Sequence, residues 1–223
     1  MNAPEPDLAD LPLDRLRLAL APQVARAAVF DGWTMTAVEN AAAGAGISPD
    51  VARIAFPGGA MDMIAAWIES IDSAMTAELP ADRIGNLPIR ERIRRLVQFR
   101  LDALGGTEEA LRRALAIMAM PQNVARAARL GWRSADVMWR LAGDMAADYN
   151  HYTKRATLAG VYTATLLVFA ADTSAGRSET RAFLDRRIEG VMRFEKAKAR
   201  LLRPDAERFS AVRLLGRLRF PAR

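Results

Sequence analysis

From Ala156 to Ala171 the chain runs sixteen residues without a charge. Within that run Leu158, Val161, Tyr162, Thr165, Leu166 and Phe169 fall at i, i+3, i+4 and i+7 spacing, the period of one helix face. The other faces carry Ala, Gly, Thr and Val, so the reading is a helix buried nearly all round. The run is shorter than the ~20 residues that span a bilayer, which places it in a protein core and not across a membrane. Such a helix must be enclosed by other elements, and the sequence offers only helices for the purpose. No segment alternates with the strand period, β-branched residues are sparse, and Ala, Leu, Arg and Met are prominent. The expected fold class is all-α.

Helix punctuation divides the chain. Residues 1–10 read as a disordered acidic lead. A first helix is expected from Leu13 to Phe30, stopped at Asp31-Gly32, where Gly can take the left-handed cap. Thr36-Ala37-Val38-Glu39 has the form of a capping box and starts a second helix at Ala37. Gly44-Ala45-Gly46 closes it, and Ser48-Pro49-Asp50 starts a third, with Ser as N-cap and Pro at the first helical position. Phe56-Pro57-Gly58-Gly59 ends that helix, and Ala60–Leu79 reads as a longer fourth. Pro80 to Pro88 reads as a loop and a boundary between sub-structures. Beyond it helices are expected at Ile89–Leu104, Glu108–Met118, Pro121–Leu130, Ala135–Ala147, Thr153–Phe169 and Ser178–Leu202. The division is thus a lead over 1–10, a helix-turn-helix-like subdomain over 11–79, a larger helical domain over 80–202, and a terminal helix over 203–223.

Composition removes several kinds of chemistry. The 223 residues include no Cys, which excludes disulfides, thiolate metal sites and Cys nucleophiles. The single His leaves almost no imidazole for metal binding or general-base catalysis. No catalytic residue, metal or cofactor is assigned, and the chain is not expected to be an enzyme. Asp144 and Asp148 lie one helical turn apart and have two readings: an acid/base pair, or helix caps and partners for Lys154 and Arg155. The formal charge of +6 is concentrated at the C-terminus, which suggests a polyanionic partner. The N-terminus has no secretory signal pattern, and its early acids do not suit a mitochondrial presequence, so a cytoplasmic protein is expected.

The short helices joined by Ala45-Gly46-Ile47-Ser48 resemble the N-terminal domain of TetR-type repressors. In such proteins the second helix of the motif enters the major groove of DNA. Here that helix, Pro49–Ala55, has only Asp50 and Arg53 as long polar groups. The Lys expected just after the aromatic Phe56 is replaced by Pro57-Gly58-Gly59. Asp repels phosphate and one Arg supplies little of a phosphate-contact network. The motif reads as scaffold, with a TetR-class regulator having an apolar ligand pocket as the alternative.

Gly131 to Arg155 gathers two Trp, two Tyr, the only His and three Asp in an otherwise Ala/Leu/Arg-rich chain. Aromatics mixed with Arg and polar groups mark interaction surfaces. Gly32-Trp33-Thr34, Ala45-Gly46-Ile47-Ser48, Phe56-Pro57-Gly58-Gly59, Trp139 with Ala142-Gly143-Asp144, and the block Asp148-Tyr149-Asn150-His151-Tyr152-Thr153-Lys154-Arg155 together resemble the coenzyme Q nine family. The resemblance spans roughly Phe30 to Leu202, and the last block is its most diagnostic part. The family usually carries Trp where this chain has His151. The resemblance implies a TetR-like fold, a homodimer, and a lipid pocket in the larger helical domain. It implies a role as accessory protein of ubiquinone biosynthesis, presenting an isoprenoid quinone intermediate to the di-iron demethoxyubiquinone hydroxylase. Asp148, Asn150, His151 and Tyr152 stand where the family engages that hydroxylase.

A polyisoprenoid offers no hydrogen bonds, so its site must be apolar and adaptable. Met118, Met120, Trp132, Met138, Leu141, Tyr162, Leu166 and Phe169 lie on helices that could line one, with ordinary core packing as the alternative. Ubiquinone intermediates and phospholipids both fit that chemistry. Arg203-Pro204-Asp205 reads as a hinge before a separate helix from Ala206 to Phe220. On it Ala211, Leu214, Leu215 and Leu218 share one arc, while Arg213 and Arg217 lie on the other face. A basic helix with a Leu face suits an anionic membrane surface, at roughly 1 kcal/mol per basic residue. Docking on a partner subunit is the other reading. Peripheral association with the inner membrane is the resulting expectation, with DNA not expected as a partner.

Overall fold

Ten α-helices order the described chain, and no strand occurs among the described residues. The computed structural model describes residues 8–144 and 149–202. The helices are α1 (Leu13–Asp31), α2 (Met35–Gly44), α3 (Pro49–Ala55), α4 (Ala60–Glu78), α5 (Ala81–Ile84), α6 (Ile89–Asp102), α7 (Glu108–Met118), α8 (Val124–Leu141), α9 (Tyr149–Ala171) and α10 (Ser178–Leu202). The all-α expectation holds. Leu8–Asp10, expected within the lead, form a 3-10 turn whose Leu8 packs on the core.

Helix α1 packs on α4 and α2, and α2 and α3 form the helix-turn-helix. Gly32, with φ of 69°, ends α1. The next helix starts at Met35 with Thr34 as N-cap, two residues ahead of the capping-box reading. Glu39, the acid of that box, is engaged elsewhere: its Oε1 accepts from Arg53 of α3 at 2.8 and 2.9 Å. Trp33 is buried in the turn, its ring 5.3 Å from that of Trp67 on α4. Its indole N–H donates to the Ala110 carbonyl of α7 at 2.9 Å. One side chain therefore joins the helix-turn-helix to two helices of the rest of the chain.

The segment from Pro80 to Pro88 is not a plain loop. It contains α5, and Ile84 is fully buried in the same hydrophobic cluster as Leu16, Phe56, Leu96 and Met138. Arg92 on α6 donates to the carbonyls of Gly85, Leu87 (2.7 Å) and Ala142 (2.8 Å), joining this segment to the end of α8.

The two helices expected over residues 121–147 are one through their middle, since α8 runs unbroken through Gly131. Gly in a helix costs about 1 kcal/mol relative to Ala. Burying Met138 alone returns about 1.5–3 kcal/mol, so packing outweighs the local signal. On α4, Asp62 pairs with Arg126 of α8 and Glu69 with Arg133 at 2.8 Å. The acids are seven residues apart on one helix and the bases seven apart on the other.

Helix α9 is buried on one side only, which corrects the expectation of burial nearly all round. Leu158, Tyr162, Thr165 and Phe169 face the core formed with α6, α7 and α8. Ala156, Gly160, Thr163, Leu167 and Ala171 are exposed, with Leu167 at 57%. Among the described residues α9 packs chiefly on α8, with fewer contacts to α7 and α6, and its small residues alternate with the buried stripe without being enclosed.

Among the described residues no single helix is long and apolar enough to cross a membrane; only α3 and α4 taken together reach the length, across an 84° bend.

Candidate functional site

The end of α8 and the start of α9 pack together through Trp and charge. Trp132 and Asp136 lie one turn apart on α8, and Tyr152 and Arg155 lie one turn apart on α9. The Trp132 and Tyr152 rings are 6.0 Å apart, and His151 meets Tyr152 edge-on at 5.2 Å. Tyr152 is 63% exposed, while Trp132 and His151 are half-buried. The result is an aromatic ledge with one open ring.

Beneath the ledge lies a charge cluster. Arg155 is 1% exposed, and its Nε donates to Asp136 Oδ1 at 2.5 Å. Its Nη1 reaches Asp144 Oδ2 at 3.4 Å and the His151 carbonyl at 3.2 Å. Lys154 donates to Asp144 Oδ1 at 2.7 Å and lies 5.5 Å from the centre of the Trp139 ring. The Trp139 N–H closes the loop by donating to the Lys154 carbonyl at 3.0 Å. Burial pushes the Asp144 carboxyl up, but its bonds to Lys154 and Arg155 outweigh that and hold it below the ordinary carboxylate range. Of the two readings of Asp144, pairing with Lys154 and Arg155 is the one observed; a general acid would need the opposite shift.

The Ala142-Gly143-Asp144 turn before α9 is fixed from the other side by Arg92. Gly143 has φ of 89°, a backbone conformation that favours glycine, and a Cβ there would stand 3.0 Å from an Arg92 nitrogen.

A second polar group lies inside the core. Arg100 of α6, 1% exposed, forms an ion pair with Asp72 of α4. Ser134 of α8 donates to the other Asp72 oxygen at 3.1 Å, and the guanidinium sits 4.8 Å from the Tyr162 ring of α9. Burial raises the Asp72 carboxyl, partly offset by Arg100 and Ser134. Four helices meet at this point.

The lipid candidates divide between these surroundings. Met138, Leu141, Tyr162 and Phe169 are core residues, with Met118 and Leu166 half-buried against them. Met120 is 43% exposed. Phe169 lies under the Arg177 guanidinium at 4.8 Å, and Trp132 belongs to the aromatic ledge. Of the four docking candidates, His151 and Tyr152 stand on the ledge. Asp148 lies outside the described residues, as do the side chain of Asn150 and Arg213, Leu214, Leu215, Arg217 and Leu218 of the terminal helix.

Sequence reading did not single out Asp136, Arg92, Asp72 or Arg100. Besides nearer contacts, each has a partner between 19 and 62 residues away, beyond the reach of helical periodicity.

Residues 124–195 match the COQ9 family model. The chain is 33% identical over 168 residues to the ubiquinone biosynthesis protein COQ9, mitochondrial, of Rattus norvegicus, covering 72% of this chain and 54% of that protein. It is 31% identical to the protein of the same name from Homo sapiens, covering 72% and 52%. The chain thus spans about half the length of these curated relatives. It also resembles the crystal structure of the TetR transcriptional regulator from Nitrosomonas europaea ATCC 19718, with a TM-score of 0.63 and 22% identity over 80% of this chain and 98% of that one. At that identity the likeness is one of fold, and it agrees with the TetR-like expectation. The family match begins where α8 begins and takes in the ledge, the charge cluster and most of α10, so it is over these residues that the chain is similar to the COQ9 family.

Proposed function

We propose that the chain is a non-catalytic accessory protein of ubiquinone biosynthesis, which binds an isoprenoid quinone intermediate or phospholipid and presents it to the demethoxyubiquinone hydroxylase. The COQ9 match over residues 124–195 carries this reading, because it includes the exposed aromatic ledge. Tyr152 and His151, with Asp148 and Asn150, contact the hydroxylase. Met118, Met138, Leu141, Tyr162, Leu166 and Phe169 surround the isoprenoid chain, with Trp132 at its ledge-side end.

Two chains associate through the outward face of α9, where Leu167 stands among Ala156, Gly160, Thr163 and Ala171. Leu214, Leu215 and Leu218, flanked by Arg213 and Arg217, attach the protein to anionic lipid at the inner membrane. Extraction of lipid from the purified full chain tests the ligand: isoprenoid quinone or phospholipid at a stoichiometric level is expected, and lipid-free protein contradicts it. Flotation on vesicles containing anionic lipid tests the membrane role, with the full chain expected to float and a chain ending at Arg203 expected to stay behind.

DNA is not proposed as a partner, although the helix-turn-helix favours it as a second reading. The exposed side of α3 carries Val51 and Ile54, and Arg53 is bonded to Glu39 and Asp50. No gel shift is expected on DNA flanking the gene; a salt-sensitive, sequence-selective shift would restore the regulator reading.

A further inference from the structure

The charge cluster under the aromatic ledge has an architecture that burial energetics makes informative. Arg155 reaches three acceptors from three places: Asp136 on α8, Asp144 in the turn, and the His151 carbonyl one helical turn back on α9. A guanidinium can do this because its donors form a rigid planar fork, whereas an ammonium is a compact point charge. Asp136 also bonds Arg140 at 2.7 Å, and Asp144 bonds Lys154, so the two carboxylates are further charge-balanced without Arg155 bonding them alone. The contact that Arg140 and Lys154 do not duplicate is the one to the His151 carbonyl. That carbonyl belongs to the backbone segment carrying His151 and Tyr152.

We propose that Arg155 is a positioning residue for the hydroxylase-docking face, holding the first turns of α9 against α8 so that the Tyr152 ring is set beside Trp132. The inference rests on the docking reading given above. Arg155 is buried and touches no partner itself; it acts by fixing where His151 and Tyr152 stand relative to Trp132. The order it imposes removes a cost that the complex would otherwise bear, since a contact residue that must be ordered on binding weakens affinity.

The test uses the full chain and the di-iron demethoxyubiquinone hydroxylase from the same organism, with affinity, thermal midpoint and amide hydrogen exchange measured for the wild type, Arg155→Lys, Arg155→Met and Arg95→Ala. Arg95 is exposed on α6 and makes none of these contacts. Arg155→Lys keeps the buried positive charge and is expected to retain a thermal midpoint near that of the wild type. Its binding should nevertheless weaken about tenfold, corresponding to one lost or misplaced contact residue. The amides of the first turns of α9 should exchange faster, while those of α1 and α4 stay protected. Arg155→Met should bind still more weakly, and Arg95→Ala should bind as the wild type does. A purely structural role predicts that affinity follows the thermal midpoint across the series, and a folded Arg155→Lys that binds as tightly as the wild type overturns the proposal. Absence of binding by the wild type overturns the docking reading itself, while the exchange data still report separately whether Arg155 orders the start of α9.

Discussion

At Asp172 one carboxylate accepts four hydrogen bonds: from the N–H and hydroxyl of Ser174 at 2.8 and 2.6 Å, and from those of Thr180 at 2.8 and 2.6 Å. These bonds join the end of α9 to the start of α10, and they hold the carboxyl far below its ordinary range. A carboxylate with a depressed folded-state pKa contributes stability above its unfolded pKa and loses it as pH falls through the folded value. Thermal melts from pH 7 to pH 2 should therefore show Asp172→Asn less stable than the wild type at neutral pH. The gap should begin to narrow below about pH 4 and go on narrowing towards pH 2, and a gap that persists unchanged in acid would contradict the assignment. Met138 is an ordinary core residue by comparison: Met138→Ala should cost about 2–5 kcal/mol in chemical denaturation. The core side chains were legible in the sequence because helical period reports one face directly. Asp172 was not, because its donors lie two and eight residues on, across a turn whose path no periodicity specifies.

Among elements, α7 and α10 have the bounds expected from the sequence, Glu108–Met118 and Ser178–Leu202. The misplaced start of α2 and the false break in α8 share one cause. Local signals were outbid by distant partners: Glu39 by Arg53, and Gly131 by the packing and ion pairs of α8 on α4. Gly131 has helical backbone and nothing within 4 Å of where a Cβ would stand. Gly131→Ala should therefore stabilise the chain by about 0.4–1 kcal/mol in urea melts. Loss of stability would mean that the glycine has a steric role. Gly58 is the opposite case, because a Cβ there would stand 2.4 Å from the Asp62 carboxylate. That carboxylate accepts the Gly58 N–H at 2.5 Å and also pairs with Arg126, so Gly58→Ala should disturb the turn and the α4–α8 ladder together. In the candidate site the aromatic positions and the pairing of Asp144 with Lys154 and Arg155 were visible in the sequence, while the role of Asp136 was not, because only the packing of α8 on α9 brings it to Arg155.

For the whole molecule, the TetR-like fold supplies a frame in which Arg53 of α3 is paired with Glu39 and Asp50, while the segment similar to the COQ9 family carries an aromatic ledge supported from below by buried charge. The outward face of α9 gives this account a test of assembly. Leu167→Arg should turn a dimer into a monomer in light scattering, and an unchanged mass would place the interface elsewhere. The central claim, that the chain carries an isoprenoid quinone to a hydroxylase, is tested most directly by native mass spectrometry of the full chain mixed with the hydroxylase. The account predicts a complex containing both proteins and a bound isoprenoid quinone, lost when Tyr152 is changed to Ala. Two proteins that remain separate, with no quinone on either this chain or its mixture with the enzyme, would contradict it.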